Sequence, residues 1–148
     1  MKLERYELKA EKTLMVFEFV SEGPKGEISK LVQFGETNLK DFYNLAFGDK
    51  DPSTGEINDS IVSNNSDGNK VLATVVATVY AFTDKYSEAW VYATGSTKSR
   101  TRLYRMGLTK YLSEIREDFE LYGQKQGEWE NFEKGVEYEA FLVQRKND

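Results

Sequence analysis

Residues 14–34 read LMVFEFVSEGPKGEISKLVQF, and this stretch decides the fold class. Apolar and polar residues alternate in two bursts, one on each side of the turn-forming segment from Ser21 to Gly26. Alternation with a period of two indicates a β-strand, and Pro and Gly between two such strands favour a reversing turn. The stretch therefore predicts a β-hairpin.

The chain beyond this hairpin predicts more strands. Asp41 to Phe47 and Glu56 to Ser63 have strand-like patterns, and Gly48 to Gly55 between them contains the Pro and Gly residues that suit a loop. We therefore expect a second hairpin. Further strands are predicted at Ala89 to Ala93, Asp118 to Tyr122, Glu128 to Phe132 and Tyr138 to Gln144.

Two segments predict helices. The run NKVLATVVATVYAFTDKY at 69–86 is rich in β-branched residues, but its apolar positions follow helical spacing and its length exceeds that of a typical strand. A second helix is predicted at 98–115. The sequence thus predicts an α+β fold, in which an antiparallel β-sheet built largely of hairpins packs against two main helices. A length of 148 residues suits one domain spanning 1–148.

Two residue types are absent from the chain. It has no cysteine, which excludes disulfides and thiolate metal sites and favours a cytoplasmic location. It has no histidine, which excludes Ser-His-Asp, Cys-His and zinc hydrolase mechanisms. We therefore expect no cofactor and no bound metal. No apolar run approaches the thickness of a bilayer, so we also expect no association with membranes.

The segment from Ser96 to Lys110 concentrates positive charge. It holds five basic residues and no acidic one, whereas the whole chain has a formal charge of −5, so the remainder carries −10. On a helical wheel, Lys98, Arg102 and Arg105 share one face. Arg100 instead falls beside the apolar stripe, which predicts that it is partly buried against a carboxylate, a carbonyl or a phosphate.

The start of this helix is a candidate anion site. Ser96, Thr97 and Ser99 place hydroxyls where unpaired backbone N–H groups collect. Basic side chains at the positive end of a helix dipole are unfavourable alone, so an acidic patch or a bound anion should compensate them. The candidate ligand-binding residues are Ser96, Thr97, Lys98, Arg100, Arg102, Tyr104 and Arg105. Basic residues beside tyrosines suit a phosphate-bearing ligand or nucleic acid.

Three other interpretations of the basic helix stay open. It is a solvated face that pairs with carboxylates of the same chain, or the surface of a protein-interaction module or homodimer. Alternatively, Arg100 or Arg102 stabilises charge in a metal-dependent phosphoryl-transfer enzyme. Neither a phosphate-binding G-x-x-x-x-G-K-[ST] loop nor a G-x-S-x-G nucleophile motif is present, so we favour binding over catalysis.

The chain also resembles an uncharacterised family of small bacterial proteins. The resemblance is carried by the segments SEGPKG, YNLAFGD, VSNN, VLATVVATVYAFTDKY, YATGSTKSRTRLYR and YEAFLVQRK. It covers nearly the whole chain, and its most distinctive part is GST-x-x-RTRLYR, from Gly95 to Arg105. The resemblance implies a bacterial cytosolic protein and implies no activity, substrate or cofactor.

Overall fold

The computed structural model describes residues 4–58, 64–95 and 97–146, and every strand in this part of the chain belongs to one sheet. The strands are β1 (Lys9–Ala10), β2 (Val16–Gly23), β3 (Gly26–Glu36), β4 (Phe42–Lys50), β5 (Ile57–Asn58), β6 (Trp90–Ala93), β7 (Phe119–Lys125), β8 (Glu128–Asn131) and β9 (Ala140–Arg145). The helices are α1 (Gly68–Lys85), α2 (Lys98–Lys110) and α3 (Leu112–Asp118). The predicted α+β class is confirmed.

The sheet is antiparallel apart from one pair of strands. Its order is β1-β2-β3-β4-β6-β9-β7-β8, and β5 pairs with the end of β4. β4 and β6 lie side by side in parallel, with Phe42 opposite Trp90 and Leu45 opposite Ala93. Parallel neighbours need a long crossover, and α1 lies on the chain between these two strands. The crossover therefore places α1 across one face of the sheet.

All three helices pack on the same face of the sheet. Apolar residues from each helix contact those of the central strands, and the rings of Phe34 and Phe82 stack at 4.2 Å between centroids. The buried strand residues on this face include Phe17, Phe19, Val32, Phe34, Leu45, Phe47, Val91, Leu121, Phe141 and Val143. Removing these side chains from water is the main term that holds the helices to the sheet.

The predicted first hairpin is confirmed, and its turn is fixed by the segment before α1. Gly23 pairs with Gly26 across the turn. Asn65 accepts a hydrogen bond from the Lys25 N–H at 2.8 Å and donates one to the Gly26 carbonyl at 2.9 Å. A side chain at Gly23 would lie 2.0 Å from the Asn65 carbonyl oxygen, so this close approach requires glycine.

The other predicted elements fit with changes in their bounds. The helix predicted at 69–86 is α1, and the strand predicted at 89–93 is β6. β4 extends to Lys50 and pairs with the short β5 at Asp49 and Lys50, so the second hairpin forms, although part of its predicted loop is strand. Positions 59–63 of the predicted second strand lie outside the described residues.

The helix predicted at 98–115 is two helices, which corrects the sequence interpretation. The chain leaves helical geometry at Tyr111, where φ is −108° and ψ is 22°, although the Tyr111 N–H still bonds to the Gly107 carbonyl at 3.1 Å. Leu112 and Ile115, which follow this break in the helix, are both buried in the core. None of the described helices is both long enough and apolar enough to cross a membrane.

Candidate functional site

The start of α2 is held by a tight loop that follows β6. The Thr97 hydroxyl accepts a hydrogen bond from the Arg100 N–H at 3.2 Å and so caps the helix. The Gly95 N–H bonds to the Thr101 hydroxyl at 3.0 Å. A side chain at Gly95 would lie 2.3 Å from the Thr101 nitrogen, so glycine lets the loop lie against the first turn of the helix.

A surface depression opens beside this helix start. It has a volume of 670 Å³ and lies where β6 ends and the segment before β9 passes. Its lining residues are Thr94, Gly95, Thr97, Lys98, Thr101, Arg102, Arg105, Glu137, Tyr138 and Glu139. We call it the α2 depression. It brings together four of the predicted ligand-binding residues: Thr97, Lys98, Arg102 and Arg105.

Cations outnumber carboxylates in the α2 depression. Lys98 and Arg102 are exposed, whereas Arg105 approaches Glu137 with 3.7 Å between Nη1 and Oε1. The Glu137 side chain is 85% exposed, and an ion pair this long and this accessible to water is weak. Glu139 is held away by accepting a hydrogen bond from the Gln126 N–H at 2.8 Å. An incoming anion therefore competes with one loosely bound carboxylate for Arg105.

Tyr138 adds a neutral hydrogen-bonding group to the wall of the α2 depression. Its hydroxyl donates to the Glu130 carboxylate at 2.9 Å. Burial is the main cause that raises the pKa of Tyr138, and the hydrogen bond to Glu130 raises it further. The phenol therefore stays protonated in the ordinary pH range and contributes no negative charge that would repel an anion.

Arg100 and Tyr104 do not line the α2 depression. The predicted burial of Arg100 is confirmed, since 9% of the residue is exposed and its Nη1 donates to the Phe47 carbonyl at 2.9 Å. Tyr104 is 8% exposed and belongs to the apolar core. Ser96, the remaining predicted site residue, lies outside the described residues. The predicted ligand-binding residues on α2 therefore lie on two sides of the helix: Lys98, Arg102 and Arg105 face the α2 depression, whereas Arg100 and Tyr104 are buried.

Arg100 belongs instead to a polar pocket beneath the starts of α1 and α2. This pocket has a volume of 260 Å³. Its polar lining residues are Lys30, Asp49, Asn64, Asn65, Asp67, Ser99 and Arg100. The Lys30 ammonium and the Asp49 carboxylate form an ion pair there. Because the pocket holds charges of both signs, its basic groups are already compensated in part by carboxylates of the same chain.

Asp67 links this pocket to the N-terminal segment. Its carboxylate accepts hydrogen bonds from the Tyr6 hydroxyl at 2.6 Å and the Ser21 hydroxyl at 2.5 Å. Burial raises the pKa of Tyr6, and the hydrogen bond to Asp67 raises it as well, so this hydroxyl remains a donor. The contacts join β2, the start of α1 and residue 6, and they indicate a structural role.

Sequence reasoning missed four residues of the α2 depression: Thr94, Thr101, Glu137 and Glu139. Thr101 follows Thr97 by one helical turn and could have been placed beside Lys98 and Arg105 on the wheel. Thr94, Glu137 and Glu139 carry no such signal, because their proximity depends on the pairing of β6 with β9. The Thr94 hydroxyl bonds to the Glu139 carbonyl at 2.8 Å across that junction.

An α+β fold with a cationic depression at the start of one helix identifies an architecture and does not by itself identify an activity. A family model matches residues 2–146, and the chain belongs to this family, described as a family of unknown function, DUF6934. No curated protein and no solved structure matches the chain. The family assignment names no ligand, so a function has to be argued from the geometry of the site.

Proposed function

We propose that this protein binds a phosphate-bearing ligand, either a nucleotide or a strand of nucleic acid, in the α2 depression. One observation carries the proposal: Lys98, Arg102 and Arg105, from successive turns of one helix, line a single depression at the N-terminus of that helix. The first turn of α2 contains no acidic residue that would satisfy the helix dipole from within the chain.

The chemistry of the lining suits a phosphate group. Two exposed cations supply charge, and the first amides of a helix lack intrahelical acceptors and point toward an anion. Thr97 and Thr101 use their hydroxyls within the helix start, where they accept hydrogen bonds from the Arg100 and Gly95 N–H groups. A phosphate that pairs with Arg105 replaces the long contact to Glu137.

The same lining predicts modest affinity. Glu137 and Glu139 stand at the rim, and the whole chain has a formal charge of −5, so a long polyanion is repelled by the remaining surface. Three basic side chains in contact with a single strand release few counterions. The slope of log affinity against log salt should therefore be shallow, about −2 for three contacts.

The test is a binding titration with inorganic phosphate, a nucleoside triphosphate and a labelled single-stranded oligonucleotide at low salt. The double variant Lys98→Gln/Arg102→Gln removes both exposed cations from the α2 depression. The matched control is Lys110→Gln, which removes an exposed cation from the other end of the same helix. We expect the double variant to weaken binding at least tenfold and the control to leave it nearly unchanged.

The three ligands separate the sources of the phosphate. Binding of the triphosphate but not of the oligonucleotide assigns a nucleotide site, and the reverse assigns a nucleic-acid site. If the wild-type protein binds none of them, or if the double variant and the control behave alike, the basic face is a solvated one and the proposal is wrong.

We also infer a bacterial, cytoplasmic setting. The absence of cysteine is typical of a reducing compartment, and the resemblance of Gly95 to Arg105 to the motif GST-x-x-RTRLYR supports a bacterial source. Fractionation of a bacterial cell that produces the protein tests the location. Recovery with the periplasmic or the membrane fraction would contradict it.

A further inference from the structure

The face of the sheet opposite the helices carries a contiguous group of aromatic side chains. We call Phe42, Trp90, Tyr92, Tyr122, Trp129 and Leu142 the aromatic patch. Strand register places them together, since Tyr92 and Tyr122 each lie opposite Leu142 and Phe42 lies opposite Trp90. The ring centroid of Tyr92 lies 6.0 Å from that of Phe42 and 6.1 Å from that of Trp129. Trp90 and Tyr122 are also 6.0 Å apart.

The aromatic patch is accessible to water. Trp129 is 39% exposed, and the other five residues are partly exposed. The three helices all pack on the opposite face, against residues such as Val91 and Phe141 that alternate with the patch along the same strands. Contiguous exposed aromatic surface on a soluble domain marks an interaction site more often than isolated exposed apolar residues do.

The charge of this face indicates what covers it. The outward positions of β4, β6, β7, β8 and β9 include two charged residues, Lys50 and Glu120, which have opposite signs. Most of their polar neighbours are uncharged amides: Asn44, Gln124, Asn131 and Gln144. Nucleic acid or an acidic protein would require a basic surface here, whereas two copies of a neutral surface meet without repulsion.

We infer that two copies of this chain associate through the aromatic patch. The chain carries −5, so contact between copies over most of the surface is opposed by like charge, whereas the outward positions of β4, β6, β7, β8 and β9 carry no net charge. A flat face that packs on its own copy gives a two-fold dimer in which the same residues contribute from both sides. Sheets packed in this way lie about 10 Å apart with their aromatic side chains interleaved.

The size of the face is comparable with that of a small protein interface. Five strands at a spacing of about 4.8 Å span roughly 20–25 Å, and these strands have four to nine residues, which span about 13–30 Å. The projected area is therefore on the order of 500 Å² per copy. The accessible area is larger than this, because the side chains project from the plane of the sheet. A standard interface buries roughly 600–1,000 Å² on each partner, so the projected area lies just below this range and the face suits a small dimer contact.

The two tryptophans of the chain are both in the aromatic patch, so they report directly on its environment. The experiment measures molar mass by sedimentation and tryptophan emission over a series of protein concentrations. We expect the mass to rise from 17.0 kDa toward twice that value, and the emission to shift to shorter wavelength over the same range. A mass that stays at that of one chain at every concentration would overturn the inference.

Two variants locate the contact. Trp129→Glu introduces a charge at the most exposed position of the patch, and both copies of a two-fold dimer would receive it; Tyr92→Glu repeats the test at the centre. Met106→Glu is the matched control, because Met106 is 52% exposed on α2, away from the patch. We expect the patch variants to be monomeric with unchanged circular dichroism and the control to dimerise like the wild type.

The remaining outcomes assign the face to another partner. Dimers that persist in both patch variants show that association uses a different surface. A wild-type monomer whose tryptophan emission is quenched by single-stranded oligonucleotide shows that the patch stacks bases instead. The variant Lys98→Gln/Arg102→Gln lies on the other side of the sheet and should dimerise normally, so this test is independent of the phosphate site.

Discussion

The guanidinium of Arg100 donates a hydrogen bond to the carbonyl oxygen of Phe47 across 2.9 Å. β4 pairs with β3 along one edge, and on its other edge Phe47 lies between the segments that pair with β6 and β5, since β6 pairs only as far as Leu45 and β5 pairs from Asp49 onward. Arg100 therefore supplies a donor to a buried carbonyl in the interval that neither strand covers.

This contact predicts that Arg100→Ala lowers the stability of the protein. The substitution removes a buried side chain and leaves the Phe47 carbonyl without this donor, which costs about 1–3 kcal/mol. The melting temperature should fall by several degrees. Thermal unfolding followed by circular dichroism measures the effect.

Lys98→Ala is the control for Arg100→Ala, because Lys98 is an exposed cation two residues earlier on the same helix. Its removal should change the melting temperature by less than a degree or two. Equal and small effects from both substitutions would show that the Arg100 contact does not contribute to stability.

The burial of Arg100 could be predicted from sequence, whereas its acceptor could not. The helical wheel places Arg100 beside the stripe formed by Tyr104 and Leu108, which is sufficient to predict that it points inward. The Phe47 carbonyl became its acceptor because β6 is short and parallel to β4. Pairing between residues 48 positions apart along the chain leaves no local signal.

The same distinction holds for the fold. The first hairpin and α1 are encoded by local periodicity, and both were predicted within a few residues. The end of α2 at Tyr111 was missed, because Tyr111 and Leu112 are ordinary helix residues and only packing against the sheet favours the change of direction. β1 was also missed, since two residues are too few for a pattern.

We predict that Gly123→Ala destabilises the sheet. The Tyr138 ring lies over Gly123, and an added Cβ would stand 2.5 Å from two of its ring carbons. Accommodating the methyl group requires displacement of a buried ring, which costs about 1–3 kcal/mol. Urea unfolding measures this loss. Gly68→Ala, where an added Cβ meets no atom within 4 Å, should be neutral or stabilising; a comparable loss there would contradict the steric explanation.

We predict that stability falls in alkaline solution and that Tyr80 contributes to the fall. Burial raises the pKa of Tyr80 above the ordinary value of 10.0, and its hydrogen bond to Asp118 at 2.6 Å raises it further. Above about pH 10 the unfolded chain releases this proton while the folded chain keeps it, so the free energy of unfolding decreases as the pH rises.

Tyr80→Phe tests this assignment. At neutral pH the variant should lose only the contribution of the hydrogen bond to Asp118, whereas between about pH 10 and 11 its stability should decline less steeply than that of the wild type. Urea unfolding at neutral pH and again between about pH 10 and 11 measures the difference in stability between Tyr80→Phe and the wild type. Tyr6, Tyr43, Tyr111 and Tyr138 also have raised pKa values, so part of the alkaline decline should remain. Parallel declines in variant and wild type would exclude Tyr80 as a contributor.

The last prediction concerns the buried ion pair between Lys30 and Asp49, whose side chains are 6% and 9% exposed. Lys30→Met leaves a buried carboxylate without this cation, so we expect the free energy of unfolding to fall by about 3–5 kcal/mol.

The double variant Lys30→Met/Asp49→Leu removes both charges and should recover most of that loss, because two apolar side chains need no mutual compensation. Lys50 and Glu18 form the matched, more accessible pair, with side chains 33% and 29% exposed, and Lys50→Met should cost less than about 1 kcal/mol. Urea unfolding of all four proteins tests these expectations, and a double variant as unstable as Lys30→Met would contradict the predicted recovery.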